Sequence, residues 1–311
     1  MRRSMWAWGI IVVSLVAAFI TTITVLNSTA YSAHAAVTRY LQALEEGRTE
    51  DAARMAGVDP DEVVPVSLDG ETAVTDIRVD SGIAHDGVVT VRAQVSVGSQ
   101  PTSVVVTLRP AGTIAGVFTQ WAFSDPPVST VMVEAAGLGF ARANGALVDI
   151  SVPLAVLAPG GIVLESPSPW FDVPRSHTVL APLDAAAVTL PATPTSDFHE
   201  AVSAAVATYL DSCVTQAVMF PRSCPFGADT SYPISTNPDW SIRAYPEISI
   251  TFTEGAWRAT GVGSARLVVT VVDIETGRKI PVTETIPFAV AAVIEAPDSS
   301  EPRIVVEYPA D

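Results

Sequence analysis

The chain has 311 residues, of which 49% are hydrophobic and 16% charged, enough apolar material for sizeable cores. Its 17 basic and 33 acidic residues leave a net charge of −16, which argues against a nucleic-acid-binding surface, since a phosphate backbone demands clustered cations. Lys279 is the only lysine, and four histidines and two cysteines leave little material for a metal site or a catalytic amine.

Residues 1–5 form a short tail carrying Arg2 and Arg3, and from Trp6 to Leu26 no charged residue occurs. At ~1.5 Å per residue this run makes ~31 Å of helix, enough to cross a hydrocarbon core. Residues 6–26 are therefore read as a transmembrane helix, with Trp6 and Trp8 in the inner interfacial belt. Because the next basic residue is Arg39, the positive-inside rule puts the N-terminus in the cytoplasm and the rest of the chain outside. A cleaved signal peptide, with Ala33-His34-Ala35 as its processing site, is the competing reading, but its apolar region would be only ~7 to 15 residues long. The Asn27-Ser28-Thr29 sequon abuts the membrane end and is read as chance.

Residues 33–127 read as a first α+β domain. Val37, Tyr40, Leu41 and Leu44 share one helical face, and Gly47 stops that helix. Thr49 reads as the N-cap of a second helix, with Glu50 and Asp51 in its first turn and Gly57 closing it. Asp59 with Pro60 reads as another cap at a helix start rather than as part of a calcium loop. Alternating Val and polar residues predict strands over Val74 to Val79, Val89 to Val97, Val104 to Leu108 and Ile114 to Phe123, with a turn at Asp86-Gly87.

Residues 128–193 carry short apolar runs (Val131 to Val133, Leu147 to Val152, Ile162 to Leu164) separated by Asn144-Gly145, Pro159-Gly160-Gly161 and Pro167 to Pro169. This pattern predicts a β-rich module or linker. Pro191 to Thr195 reads as a hinge.

Residues 196–311 read as a second α+β domain. A helix starts at Asp197 as N-cap, with Glu200 three positions on, and carries Phe198, Val202, Ala205, Tyr209 and Cys213 along one face. Strands follow at Ile248 to Phe252, Leu267 to Ile274, Val282 to Val293 and Ile304 to Tyr308, with a hairpin turn at Glu275 to Arg278. The fold class is thus α+β: a membrane helix, then two units of helix followed by antiparallel sheet, with a β-rich segment between.

The string Ala36 to Gly47, continued by Ala52 to Ala56 and by a sheet ending at Trp121 and a double proline, resembles membrane-anchored domains of the cystatin-like or nuclear-transport-factor-two-like superfamily in Gram-positive bacteria. The second half, with Cys213 and Cys224-Pro225-Phe226-Gly227, resembles a similar domain of actinobacterial envelope proteins. A single-pass chain with two such domains also resembles channel subunits of Gram-positive conjugation machines. The resemblance implies the fold; superfamily members include enzymes, ligand-binding cones and spacers, so it does not choose a function.

Cys213 and Cys224 are expected to form a disulfide, which an oxidising exterior permits. A redox-active pair is the alternative, but the spacing is not Cys-x-x-Cys. His199-Glu200 begins like a zinc-protease helix, yet Ser203 stands where the second histidine belongs. Gly261-Val262-Gly263-Ser264-Ala265 lacks the last glycine of a nucleophile elbow and reads as a β-turn. His34, His85 and His177 read as exposed, and Trp121, Trp170, Trp240 and Trp257 as core or rim packing. No catalytic, metal or cofactor residue is assigned. The expected function is a non-catalytic binding or scaffolding ectodomain with an envelope protein as partner. The alternatives are a subunit of a conjugation or secretion channel, or a ligand receptor or enzyme using a cone-shaped pocket.

Overall fold

The computed structural model describes residues 2–295 and 303–307, with side chains for 11–295 and 303–305. The Trp6 and Trp8 side chains and Tyr308 lie outside the described residues. Among the described residues the chain is α+β, with four α-helices and a majority of strand elements. It divides into two compact units, one of residues 1–134, 140–165 and 175–189, the other of residues 135–139, 166–174 and 190–311.

In the first unit, helix α1 (Arg2–Ser28) is apolar and exposes its side chains from Ile11 onward, except for partial cover near its end. Helix α2 (Ala33–Glu45) begins at Ser32, whose hydroxyl accepts from the Ala35 N–H at 3.1 Å. Its i, i+3, i+4, i+7 set of Val37, Tyr40, Leu41 and Leu44 is buried. Helix α3 (Thr49–Ala56) has Glu50 and Asp51 in its first turn, Arg54 in its last, and Gly57 at φ +79° as C-cap. Arg48, not Thr49, is its N-cap residue, and it makes no side-chain capping bond. The Thr49 hydroxyl instead accepts from the Val66 N–H at 2.9 Å, a partner seventeen residues away that local sequence does not show.

Both helices share a core with a five-stranded antiparallel sheet. Val74–Val79, Val88–Val97, Gln100–Ile114 and Phe118–Phe123 follow one another across it, and Ile83–His85 pairs with the second of these. The expected strand over Ile114 to Phe123 is corrected: Ile114 ends the 15-residue strand before it, and Ala115 and Gly116, both at positive φ, form the turn. Buried and exposed residues alternate along Val91 to Val97, placing Val91, Ala93, Val95 and Val97 under the helices.

Two four-stranded sheets complete this unit. One orders Val63–Val64, Leu154–Leu157, Val128–Ala135 and Ala185–Leu190; the other orders Ser176–Leu180, Gly160–Glu165, Phe140–Ala143 and Ala146–Asp149. Asn144 (φ +48°) and Gly145 (φ +84°) make the turn of the last hairpin. The Asn144 amide also donates to Pro65 O at 2.7 Å and accepts from the Val163 N–H at 2.7 Å.

In the second unit, helix α4 (Ser196–Val214) is capped by Thr195, whose hydroxyl accepts from the Phe198 N–H at 3.3 Å, so the cap lies two residues before Asp197. Its buried face is Phe198, Val202, Val206, Leu210 and Cys213; Ala205 and Tyr209 are half-buried beside it. The expected hinge is ordered, with Thr193–Pro194 pairing with Phe171–Asp172. The sheet is dominated by the hairpin Ala256–Val272 and Lys279–Glu295, paired over sixteen positions from Trp257↔Ile294 to Val272↔Lys279. Asp239–Ala244 and Ser249–Thr253 pair with its first arm and Arg303–Glu307 with its second.

The expected β-turn at Gly261 to Ala265 is corrected to continuous strand. The glycines are there for close approach: a Cβ on Gly261 would lie 2.8 Å from Glu247 O, and one on Gly263 2.8 Å from Ala244 O.

Candidate functional site

Helix α1 ends against the first sheet without a spacer. The Asn27 side chain donates to Val117 O and accepts from the Thr119 N–H, both at 2.9 Å, as a neighbouring strand would. Tyr31 stacks on Phe118 with centroids 4.4 Å apart, and Trp121 Nε1 donates to Tyr31 O at 2.9 Å.

From that point a groove of about 580 Å³ runs between α2, α3 and the edge strand Phe118–Phe123. Leu108, Ile114, Trp121 and Phe123 give it apolar surface, and Arg39, Arg48, Arg54 and Arg109 line it together with Asp51. Two of these arginines are committed. Arg48 meets Asp51 and Glu46 at 2.7 Å each, and Arg54 meets Asp51 at 3.0 Å and Glu50 at 3.6 Å. The Arg48 hydrogen bond holds the Asp51 carboxyl below the usual carboxylate range, and the same carboxylate, with Glu46, raises the Arg48 guanidinium. Among the described residues Arg39 and Arg109 have no ion-pair partner; Arg39 Nε donates to Ala35 O at 3.2 Å. In this groove cationic side chains gather around apolar surface in an acidic chain. Sequence reading missed it, although arginines 39, 48 and 54, on two successive helices and the connection between them, were the available signal.

The second unit holds the disulfide. Cys213, fully buried in the last turn of α4, is bonded to Cys224 with Cα atoms 5.8 Å apart. The Tyr209 hydroxyl donates to Ser223 O at 2.7 Å, and the Gln216 side chain bonds Arg222 N and O at 2.8 and 3.1 Å. The bridge therefore ties the helix end to a loop rather than to the first strand, and Phe226, just beyond it, packs on Trp240 and Phe288.

The other sequence candidates are dispersed. His34 Nδ1 lies 3.1 Å from Asp80 O, His85 pairs with Asp86 at 3.1 Å, and His177 lies 3.5 Å from Glu71. His199 is half-buried in the first turn of α4, and among the described residues no group of three or more His, Cys, Asp or Glu could hold a metal. Trp240 and Trp257 are buried, donating to Val218 O and Gly137 O at 2.8 and 2.9 Å; Trp121 and Trp170 are half-buried. Ser264 sits mid-strand opposite Pro287. Compared with protein-family models, with curated proteins and with solved structures, the chain finds no match.

Proposed function

We propose that this is a single-pass membrane protein whose extracytoplasmic part binds or scaffolds a protein of the cell envelope and catalyses no reaction. The observation that carries the reading is α1. Its window Ile11–Ser28 has mean hydropathy 2.1 and none of it is buried within the protein, a surface that calls for a bilayer. Arg2 and Arg3 at one end, and Arg39 as the next basic residue, support a cytoplasmic N-terminus. The disulfide suits an oxidising exterior. Two helices sharing a core with an antiparallel sheet support a cystatin-like or nuclear-transport-factor-two-like assignment for residues 33–127, and α4 with its long hairpin supports the same for residues 196–311. The resemblance of these segments favours an actinobacterial envelope protein.

A second reading, a structural subunit of a conjugation or secretion channel, is favoured by two compact units on one apolar helix. A third, a ligand receptor or enzyme, is favoured by the groove. Affinity purification of the full chain from crosslinked native membranes, with mass spectrometry of what accompanies it, separates the three. A reproducible set of envelope proteins is expected. Homo-oligomers with secretion components would favour the channel, and a turnover lost on one point substitution would overturn the non-catalytic reading.

A further inference from the structure

The groove has a mouth, and α1 sets its height. The 27 residues of α1 make ~40 Å of helix, close to the thickness of a bilayer with its headgroups. With residues 6–26 in the hydrocarbon, Asn27 to Tyr31 fall in the outer headgroup layer, and Tyr31 is itself a wall of the groove. Ile114, at the strand end nearest the Asn27 contact, also lines it and is 44% exposed. Arg39 bends back toward the start of α2, which is the end that joins Tyr31. The groove therefore combines apolar surface, two arginines without carboxylate partners and an opening at headgroup level.

Each part narrows the occupant. A soluble anion would leave the apolar surface at Ile114 and Trp121 wet, and a zwitterionic lipid would bring a cation to the arginines. An anionic lipid uses both surfaces, and it meets two arginines without carboxylate partners in a chain whose overall charge of −16 would otherwise repel it.

We propose that this groove binds the headgroup of an anionic phospholipid from the adjacent leaflet, its phosphate drawn by Arg39 and Arg109 and the upper part of its chains resting on Ile114 and Trp121. The proposal rests on α1 being the membrane anchor. It adds a lipid ligand to a protein proposed to bind envelope partners.

The test uses the full chain in vesicles of phosphatidylcholine, with or without phosphatidylglycerol, each doped with a photoreactive lipid of matching headgroup. Flotation in alkaline carbonate is read first: a chain that does not float with vesicles overturns the anchor and this proposal together. For a chain that floats, the expected result is labelling within residues 110–124 by the phosphatidylglycerol probe over the phosphatidylcholine probe. The R39Q/R109Q variant is expected to lose about tenfold of that labelling, as two charge-assisted contacts disappear. Ile114→Asp, which keeps both arginines, is expected to lower it as well, so the outcome does not hang on one variant's folding. Equal labelling by the two probes, or labelling unchanged in both variants, overturns the proposal while leaving the anchor standing. Complete protection by inorganic phosphate alone would assign the groove to a soluble anion and overturn the lipid.

Discussion

A single phenol joins distant parts of the first unit. The Tyr40 hydroxyl, on a side chain 1% exposed, lies 2.8 Å from Ala158 O and 3.2 Å from Pro127 O, tying α2 to two segments some ninety and more residues away. Tyr40→Phe leaves both carbonyls without that donor and is expected to cost about 1–3 kcal/mol in denaturant titrations. Burial pushes the phenol well above its ordinary range. Its contribution is therefore fully present below the unfolded value of ~10 and lost as pH rises beyond it, so the wild-type protein should lose stability in alkali and the Phe variant less so.

The aspartates carry the opposite sign. Backbone bonding from Glu71, then the Arg175 side chain at 2.6 Å, lowers Asp69; Ser151 lowers Asp149, and the backbone N–H of Glu275, then Thr276, lowers Asp273. Depressed folded values give stability that is present above the unfolded value of ~4 and lost as pH falls through the folded ones. Thermal melts should accordingly be flat near neutrality and fall in acid. None of these side-chain roles was legible in the sequence. Thr49 looks like a cap and Asn27 like a sequon because their partners, Val66 and the strand start at Val117, are set by tertiary folding rather than by neighbours.

Helices announce themselves through a 3.6-residue period, and α2 and α4 follow the expected faces to within one residue per turn, whereas the expected caps at Thr49 and Asp197 lie one and two residues too late. Strands are less legible. Asp239–Ala244 gives only six residues of weak alternation before Tyr245 and Pro246, and its place is fixed by pairing with Arg266 and its neighbours. The Gly-Val-Gly segment misleads for a related reason: its glycines answer to the close approach of the backbone at Ala244 and Glu247. Gly261→Val or Gly263→Val is expected to destabilise the second unit by about 1–3 kcal/mol through that clash, where Val262→Thr, at an exposed site, is expected to change little; calorimetry on the three variants checks this. The disulfide was legible from compartment and spacing. Cys213→Ser with Cys224→Ser reopens an 11-residue separation and is expected to cost up to ~3 kcal/mol, seen as a lowered melting temperature that reductant no longer shifts.

For the whole molecule, the apolar helix was the most legible feature, because bilayer thickness is a length that a sequence can be measured against. The strands between 128 and 193 were legible as β-rich but not in their division among separate sheets, since their order, with Val63–Val64 parallel to Leu154–Leu157, depends on pairings across ninety residues. The proposed anchor makes its own prediction. Val16→Arg puts a cation near the middle of the span and is expected to weaken insertion by ~3 kcal/mol, measured with a reporter of membrane insertion, whereas a change to Leu should leave it intact.

The bonds of Asn27 to Val117 and Thr119, with Tyr31 stacked on Phe118, hold the end of α1 against the first sheet. Tilt is how a long span adjusts to a thin bilayer. With α1 in the bilayer as proposed, a joint held at these points would turn that adjustment into a lever, and thinning the membrane is expected to swing the first unit toward its surface. A fluorophore at Gly57, read against a quencher in the headgroups, should move closer as the lipid chains shorten, and Asn27→Ala should uncouple the two.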